Sequence, residues 1–424
     1  MNNSLEPRYS RRQLLAVGGA SAVVAAGAGA AAGRAHIPER AAAGSDRDGV
    51  VPFRAAHQAG IVTAQQDQLH FAALDVMTES REELVALIKQ WTVMAERMTK
   101  GQEATPGGAM GGNPLAPPQD TGEAFDLAPA QLTITVGFGP GIFEKDGKDR
   151  FGLAKHRPEP LTPLPGFPGD ALEPARCGGD VVIQACANDP QVAVHAVRNL
   201  VRTGFGVVSV RWSQLGFGRT SSTSTRQVTP RNLFGFKDGT NNIKAEETNE
   251  LDKHIWVAKD DGPDWLVGGT YLVARRIRMN IERWDRDFLK DQEQTIGRTK
   301  ESGAPLSGGG EFEPLDLDAK LGVEPAIPWN AHVRLASHQN LGGIRILRRG
   351  YNFTDGSDGV GHLDAGLFFL AFCRDPQKQF VPMQQTLAKS DALNEYIKHT
   401  GSALFVCPPG LGDGEYWGQK LFEG

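Results

Sequence analysis

The chain has 424 residues, 40% of them hydrophobic and 22% charged, with a formal net charge of -5. That composition suits a soluble globular protein of about two or three domains. No basic surplus exists to neutralise phosphates, so nucleic acid is not expected as a partner.

In chain order, the first signal is "SRRQLL" (Ser10 to Leu15), followed by "AVGGASAVVAAGAGAAAG", with no charge from Gln13 to Gly33. A twin arginine ahead of a weakly apolar stretch reads as a Tat export signal, assigned to residues 1–45, with Ala41, Ala42 and Ala43 offering cleavage sites. A membrane anchor is the alternative, and the Gly/Ala content makes it a poor one. Export of a folded protein to the periplasm or the exterior suits an enzyme whose cofactor is loaded first, and it makes the Tat machinery a partner.

The mature chain reads as two sets of elements on one plan. The first set has strands at "LHFAALDVM" (69–77), "QLTITVGFG" (131–139), "DVVIQACA" (180–187) and "FGVVSVRW" (205–212). Its helices are "SREELVALIKQWTVMAERM" (80–98), amphipathic by i, i+3, i+4 spacing, and "DPQVAVHAVRNLVRT" (189–203), with an Asp cap and Pro at its first position. The second set has strands at 269–280, 343–353, 365–374 and 402–409, and helices at 286–298 and 375–387. "IQACANDPQ" and "LAFCRDPQ" place Cys and Asp-Pro-Gln alike in both halves. The expected fold is α+β: two ferredoxin-like domains with antiparallel sheets, of the dimeric α/β-barrel type, over 46–215 and 216–424.

Residues 101–130, 147–179 and 302–330 are rich in Gly and Pro and read as long surface loops or lids. Cys177, Cys186, Cys373 and Cys407 show no C-x-x-C spacing, so a zinc or iron–sulfur site is not expected, and their pairing stays open. "NAHVRLASHQN" (330–340) reads as a strand carrying His332 and His338. "GFKDGTNN" (235–242) has turn chemistry, with Asp238 held between glycines.

These last stretches resemble the dye-decolourising peroxidases. "GFKDG" is similar to that family's G-x-x-D-G signature, and "AHVRLA…ILRRGYNF" to its histidine and arginine region. His332 lies 94 residues after Asp238, and Arg348 sixteen beyond it. "VPFRAAHQAGIVTAQQDQLHFAALDV" (51–76) is similar to the start of Tat-exported members, including the deferrochelatase-like branch. The resemblance implies one haem b in the second half, with His332 as iron ligand and His338 as its rival. Glu395 is the expected carboxylate partner of that histidine, with Asp391 second.

The resemblance further implies that Asp238 shuttles protons and that Arg348 supplies a fixed charge. Gly239, Thr240 and Asn241 line the haem edge, Ser337, His338 and Gln339 complete the contacts, and Gly235 and Gly239 permit close approach of the backbone. The implied activity is reduction of hydrogen peroxide with bulky organic reductants such as dyes and phenols. The alternatives are a deferrochelatase releasing iron from haem within an iron-uptake system, and a non-catalytic haem-binding protein. Trp256, Trp265, Trp329 and Tyr351 are candidate points of electron entry.

Overall fold

The computed structural model describes residues 48–424; the export-signal reading concerns residues outside that range. Nine strands form one antiparallel sheet. They are β1 (Gln68–Val76), β2 (Thr133–Phe138), β3 (Val181–Ala187), β4 (Val208–Arg219), β5 (Thr270–Met279), β6 (Leu347–Arg348), β7 (Tyr351–Ser357), β8 (Leu363–Cys373) and β9 (Ile397–Cys407). Around the ring the order is β2-β3-β1-β4, then β7-β8-β5-β9, which returns to β2; β6 pairs with the end of β8. Both runs follow the ferredoxin-like order, and the duplicated α+β fold expected from the sequence is present. The seams are short: Val406 opposite Phe138 at one, and Phe217 opposite Asn352 and Arg219 opposite Tyr351 at the other. The expected boundary at 215/216 falls within β4, which runs on to Arg219.

The ring is solid inside. Phe71, Phe368 and Phe405 are essentially inaccessible, with ring centroids of Phe71 and Phe368 5.0 Å apart and of Phe71 and Trp212 5.3 Å. Alternate residues of the same strands face helices outside, so several strands are buried on both faces and read as unbroken apolar runs.

Around the first half, α1 (Arg81–Thr99) starts where Ser80 Oγ accepts from Glu83 N at 3.2 Å, and α2 (Pro190–Thr203) where Asp189 Oδ1 accepts from Gln191 N at 2.7 Å. They lock together through Trp91 Nε1, which donates to Leu200 O at 2.7 Å. The second half has shorter helices, among them α3 (Leu289–Ile296), the single turn α4 (His332–Leu335) and α5 (Phe380–Ser390). Helix α5 begins five residues after Asp375, because Pro382 has no N–H and is tolerated only in a first turn. Asp375 instead closes a local turn, accepting from Gln377 N at 2.9 Å.

Three expectations need correction. The stretch 330–340 is not a strand: Leu335 N donates to Ala331 O at 3.1 Å and Ala336 N to His332 O at 3.0 Å, a helical turn too short to show a period. The expected strand 343–353 is broken at Arg349–Gly350, where a Cβ on Gly350 would lie 2.8 Å from Thr220 Oγ1. Cys186 and Cys373 are not equivalent. Cys186 stands three residues before its Asp and Cys373 two, so Cys186 faces the ring interior and Cys373 the helix side. All four cysteines are free thiols.

Arg349 is completely buried and donates to Thr63 O and to Gln66 Oε1, tying the segment before β1 to the strand that carries Arg348. Arg349→Leu leaves Gln66 Oε1 unpaired, while Thr63 O keeps the Thr223 hydroxyl at 2.8 Å, and should lower unfolding free energy by about 1.5–3 kcal/mol. Urea denaturation measures it; a wild-type midpoint would show that the tie contributes nothing.

Candidate functional site

On the first half, α1 and α2 cover the outer sheet face. On the second, α5 covers only part of it, and one end of β5, β8 and β9 is left facing a cleft. The cleft holds about 1590 Å³ of empty space, its open mouth included. Ile277, Met279, Leu367 and Phe369 form its sheet wall, and Met383 and Leu387 of α5 another. These side chains are apolar, so the polar groups among them stand out.

His332 is one. Its Nδ1 lies 2.6 Å from Asp391 Oδ2. Asp391 is buried, and its Oδ1 accepts from Leu393 N at 2.9 Å, so one carboxylate caps the turn after α5 and orients the imidazole. An ionised carboxylate only accepts, so Nδ1 carries the proton and Nε2 is the lone-pair nitrogen of the neutral ring. Burial lowers the basicity of His332, but Asp391, with a smaller contribution from Asp238, outweighs it and raises its pKa above the ordinary value.

Glu395, the expected partner, is not in the cleft; it is exposed and paired with Arg283. His338 lines the cleft mouth but is exposed, and its carbonyl accepts from Gly343 N at 2.7 Å within a loop. Ser337 lines the cleft, its hydroxyl donating to Arg334 O at 2.8 Å, whereas Gln339 is exposed and takes no part in the wall.

A second wall carries Asp238 and Arg348. Arg348 Nη1 meets Asp238 Oδ1 at 2.5 Å, and Asn232 Nδ2 donates to Asp238 Oδ2 at 3.2 Å. Gly239, Thr240 and Asn241 also line the cleft. The glycines serve the turn. Gly235 and Gly239 have φ of +81° and +94°, and a Cβ on Gly239 would lie 2.7 Å from Ser221 Cα.

Sequence reasoning missed Asn242. Its Nδ2 donates to Arg348 O at 2.8 Å and its Oδ1 accepts from Arg348 N at 2.7 Å, so the last residue of "GFKDGTNN" clamps the arginine's backbone. It also missed the cations Arg275, Arg298 and Arg345. The available signal was "ARRIRM": an arginine on an apolar strand needs a partner, and Arg275 has Asp170 and, at 3.0 Å, Ser402 Oγ. His399, beside them, is pushed down to about 3 by burial and then by Arg275. Of the four aromatic candidates, Trp256, Trp265 and Tyr351 are buried, and Trp329 is 68% exposed under the Arg334 guanidinium, 4.0 Å from its ring centroid.

Residues 58–218 match the Dyp-type peroxidase N-terminal domain and residues 229–412 the C-terminal domain. A dye-decolorizing peroxidase from Thermobifida fusca is 39% identical, covering 98% of this chain and 97% of the relative. The chain belongs to the Dyp-type peroxidase family. A deferrochelatase from Yersinia pseudotuberculosis is 37% identical, covering 97% of this chain and 94% of the relative. A solved DyP-type peroxidase from Streptomyces coelicolor superposes on this Dyp-type peroxidase with a TM-score of 0.80 at 40% identity, covering 89% of this chain and 98% of that one.

The His332–Asp391 pair sets a pH dependence. Because the folded pKa of His332 is raised, the pair's stabilisation is fully present below about pH 6.5, the ordinary imidazole value, and is lost as pH rises through the raised folded value. Asp391→Asn should move the His332 titration to lower pH, read by NMR on protein prepared without cofactor. An unchanged midpoint would mean that Asp391 does not control the ring.

Proposed function

We propose that this Dyp-type peroxidase holds one haem b in the cleft and reduces hydrogen peroxide while oxidising bulky organic compounds such as dyes and phenols. One observation carries the reading: a single apolar cleft contains an imidazole with its Nδ1 fixed by a carboxylate and, separately, an ion-paired carboxylate and guanidinium. The residues fit such a cofactor. Apolar walls suit a flat macrocycle, His332 Nε2 suits iron, and Arg275, Arg298 and Arg345 suit acidic substituents. Bound haem supplies an iron centre able to take electrons singly from organic donors and pass them in pairs to peroxide.

The chain's own groups handle position and protons. Asp391 holds His332 against rotation and keeps its lone pair on Nε2. Splitting hydrogen peroxide into two waters consumes two electrons and two protons, and one proton must move from one peroxide oxygen to the other. Asp238 Oδ2 is the atom for that transfer, since Oδ1 is engaged by Arg348 and Oδ2 holds only the longer bond from Asn232. As base and then acid, such a group contributes about 10²–10⁴ in rate. Arg348 cannot release its proton, so it remains a fixed positive charge for developing anions, with its backbone held by Asn242.

A second reading, release of iron from haem with the porphyrin intact, rests on the relatives named deferrochelatase and uses the same cleft. It predicts metal-free porphyrin as product, whereas the peroxidase reading predicts dye oxidation with the haem retained. A third, haem binding without turnover, predicts a Soret band and neither product.

His332→Ala should abolish or greatly loosen haem binding, read as loss of the Soret band, while His338→Ala should keep it; the reverse result would transfer the ligand role to His338. Asp238→Asn should keep the Soret band but slow the first peroxide step by about 10²–10⁴. A wild-type stopped-flow rate in that variant would reduce Asp238 to a turn residue.

We also propose Tat export, supported by Arg11 and Arg12 beside the Ala/Gly stretch. Arg11→Lys combined with Arg12→Lys should hold the protein inside the cell with its leader intact. Cell fractionation and mass spectrometry read the outcome, and secretion of the double variant would exclude that route.

A further inference from the structure

The segment 302–330 has little regular structure beyond a small hairpin at Lys320–Leu321 and Glu324–Pro325, yet it is tied to both charged walls of the cleft. Near its start, Glu311 has a side chain 12% exposed. It takes Lys237 Nζ on Oε2 and, at 3.3 Å, Thr240 Oγ1 on Oε1. Lys237 and Thr240 stand on either side of Asp238. Arg298 Nη1 braces the same stretch, donating to Gly303 O at 2.7 Å and Glu311 O at 2.8 Å. Further along, Leu315 and Ile327 pack with Ala331 and Val333. Arg334 Nη1 donates to Leu317 O at 2.9 Å and Ile327 O at 3.1 Å. Ala331, Val333 and Arg334 surround His332 in sequence. One strap thus grips the neighbours of Asp238 and the neighbours of His332, and these bonds and packing contacts fall on the flanking residues rather than on Asp238 or His332.

We propose that Glu311 is a positioning residue for Asp238, and that the strap sets the distance between the Asp238 turn and the His332 turn. This rests on the reading of Asp238 as the group that moves the proton. An ion pair mostly withdrawn from water holds its geometry better than an exposed one. Proton transfer demands hydrogen-bond reach, and a displacement of about 1 Å costs on the order of 10² in rate. Glu311 holds two residues flanking Asp238 with separate oxygens, which limits both sliding and tilting of the turn.

The test compares Glu311→Gln, Lys237→Gln and the double variant with wild type and with Asp238→Asn. Amide hydrogen exchange is followed at 238–242 and 330–336 in protein prepared without haem, and the first peroxide step in the loaded enzyme. Each single variant should speed exchange at 238–242, leave 330–336 unchanged and slow the peroxide step by roughly 10- to 10²-fold. The double variant should be no worse than either single, because all three break one pair.

Wild-type exchange and rate in Glu311→Gln would overturn the proposal. So would additive losses in the double variant, or equal loosening at 330–336, which would mark Glu311 as a general structural lock. If Asp238→Asn reacts with peroxide at the wild-type rate, the proton-transfer reading fails instead, and the exchange data alone still judge the strap.

Discussion

Phe71 packed against Phe368 and Trp212 inside the strand ring is the constraint on which the site depends. A ring whose interior is filled by such rings has no room for a ligand, so any binding surface must lie on its outer face. There a strand pair alone would expose apolar surface to water, and the helices decide how much is covered. The first half covers its face with two long helices fastened through Trp91. The second half does not, and the cleft is the uncovered remainder.

The polar groups of the cleft are held by contacts that reach far along the chain. Asp391 caps the turn after α5 and fixes His332, so the end of a helix and the orientation of an imidazole form one unit. Asn242 holds the backbone of Arg348, and Arg348 holds Asp238. Each functional side chain has a partner with little freedom of its own, which is what a site needs when donors and acceptors must be in place before a substrate arrives. The loop stretch 147–179 serves this arrangement too: Asp170 reaches Arg275, and Ala171 N donates to His399 O of β9 at 3.0 Å.

Much of this was legible in the sequence where the physics is local. Buried strands showed as apolar runs, Asp189 as a helix cap, and the repeat of the two halves as matching order. The turn around Asp238 was legible from its glycines, whose positive φ and packing against Ser221 the backbone there requires. The four residues of α4 were not legible as a helix, because one turn carries no period. The choice between Asp391 and Glu395 depends on where α5 ends and which way the chain then turns. Asn242 and Glu311 act on groups 106 and 71 residues away, and no local pattern records such partners.

Arg348 and Arg349 are adjacent, and the pleat sends one to the cleft and the other to the sealed side of the ring. Their tasks differ only by parity. Inserting or deleting one residue in the stretch between Arg345 and Gly350 would exchange them, placing a buried clamp in the cleft and a cleft cation among the residues that follow Ile61. Substitutions there are judged one side chain at a time, but a change of length would strike both at once. This short stretch should therefore tolerate drift in composition far better than drift in spacing.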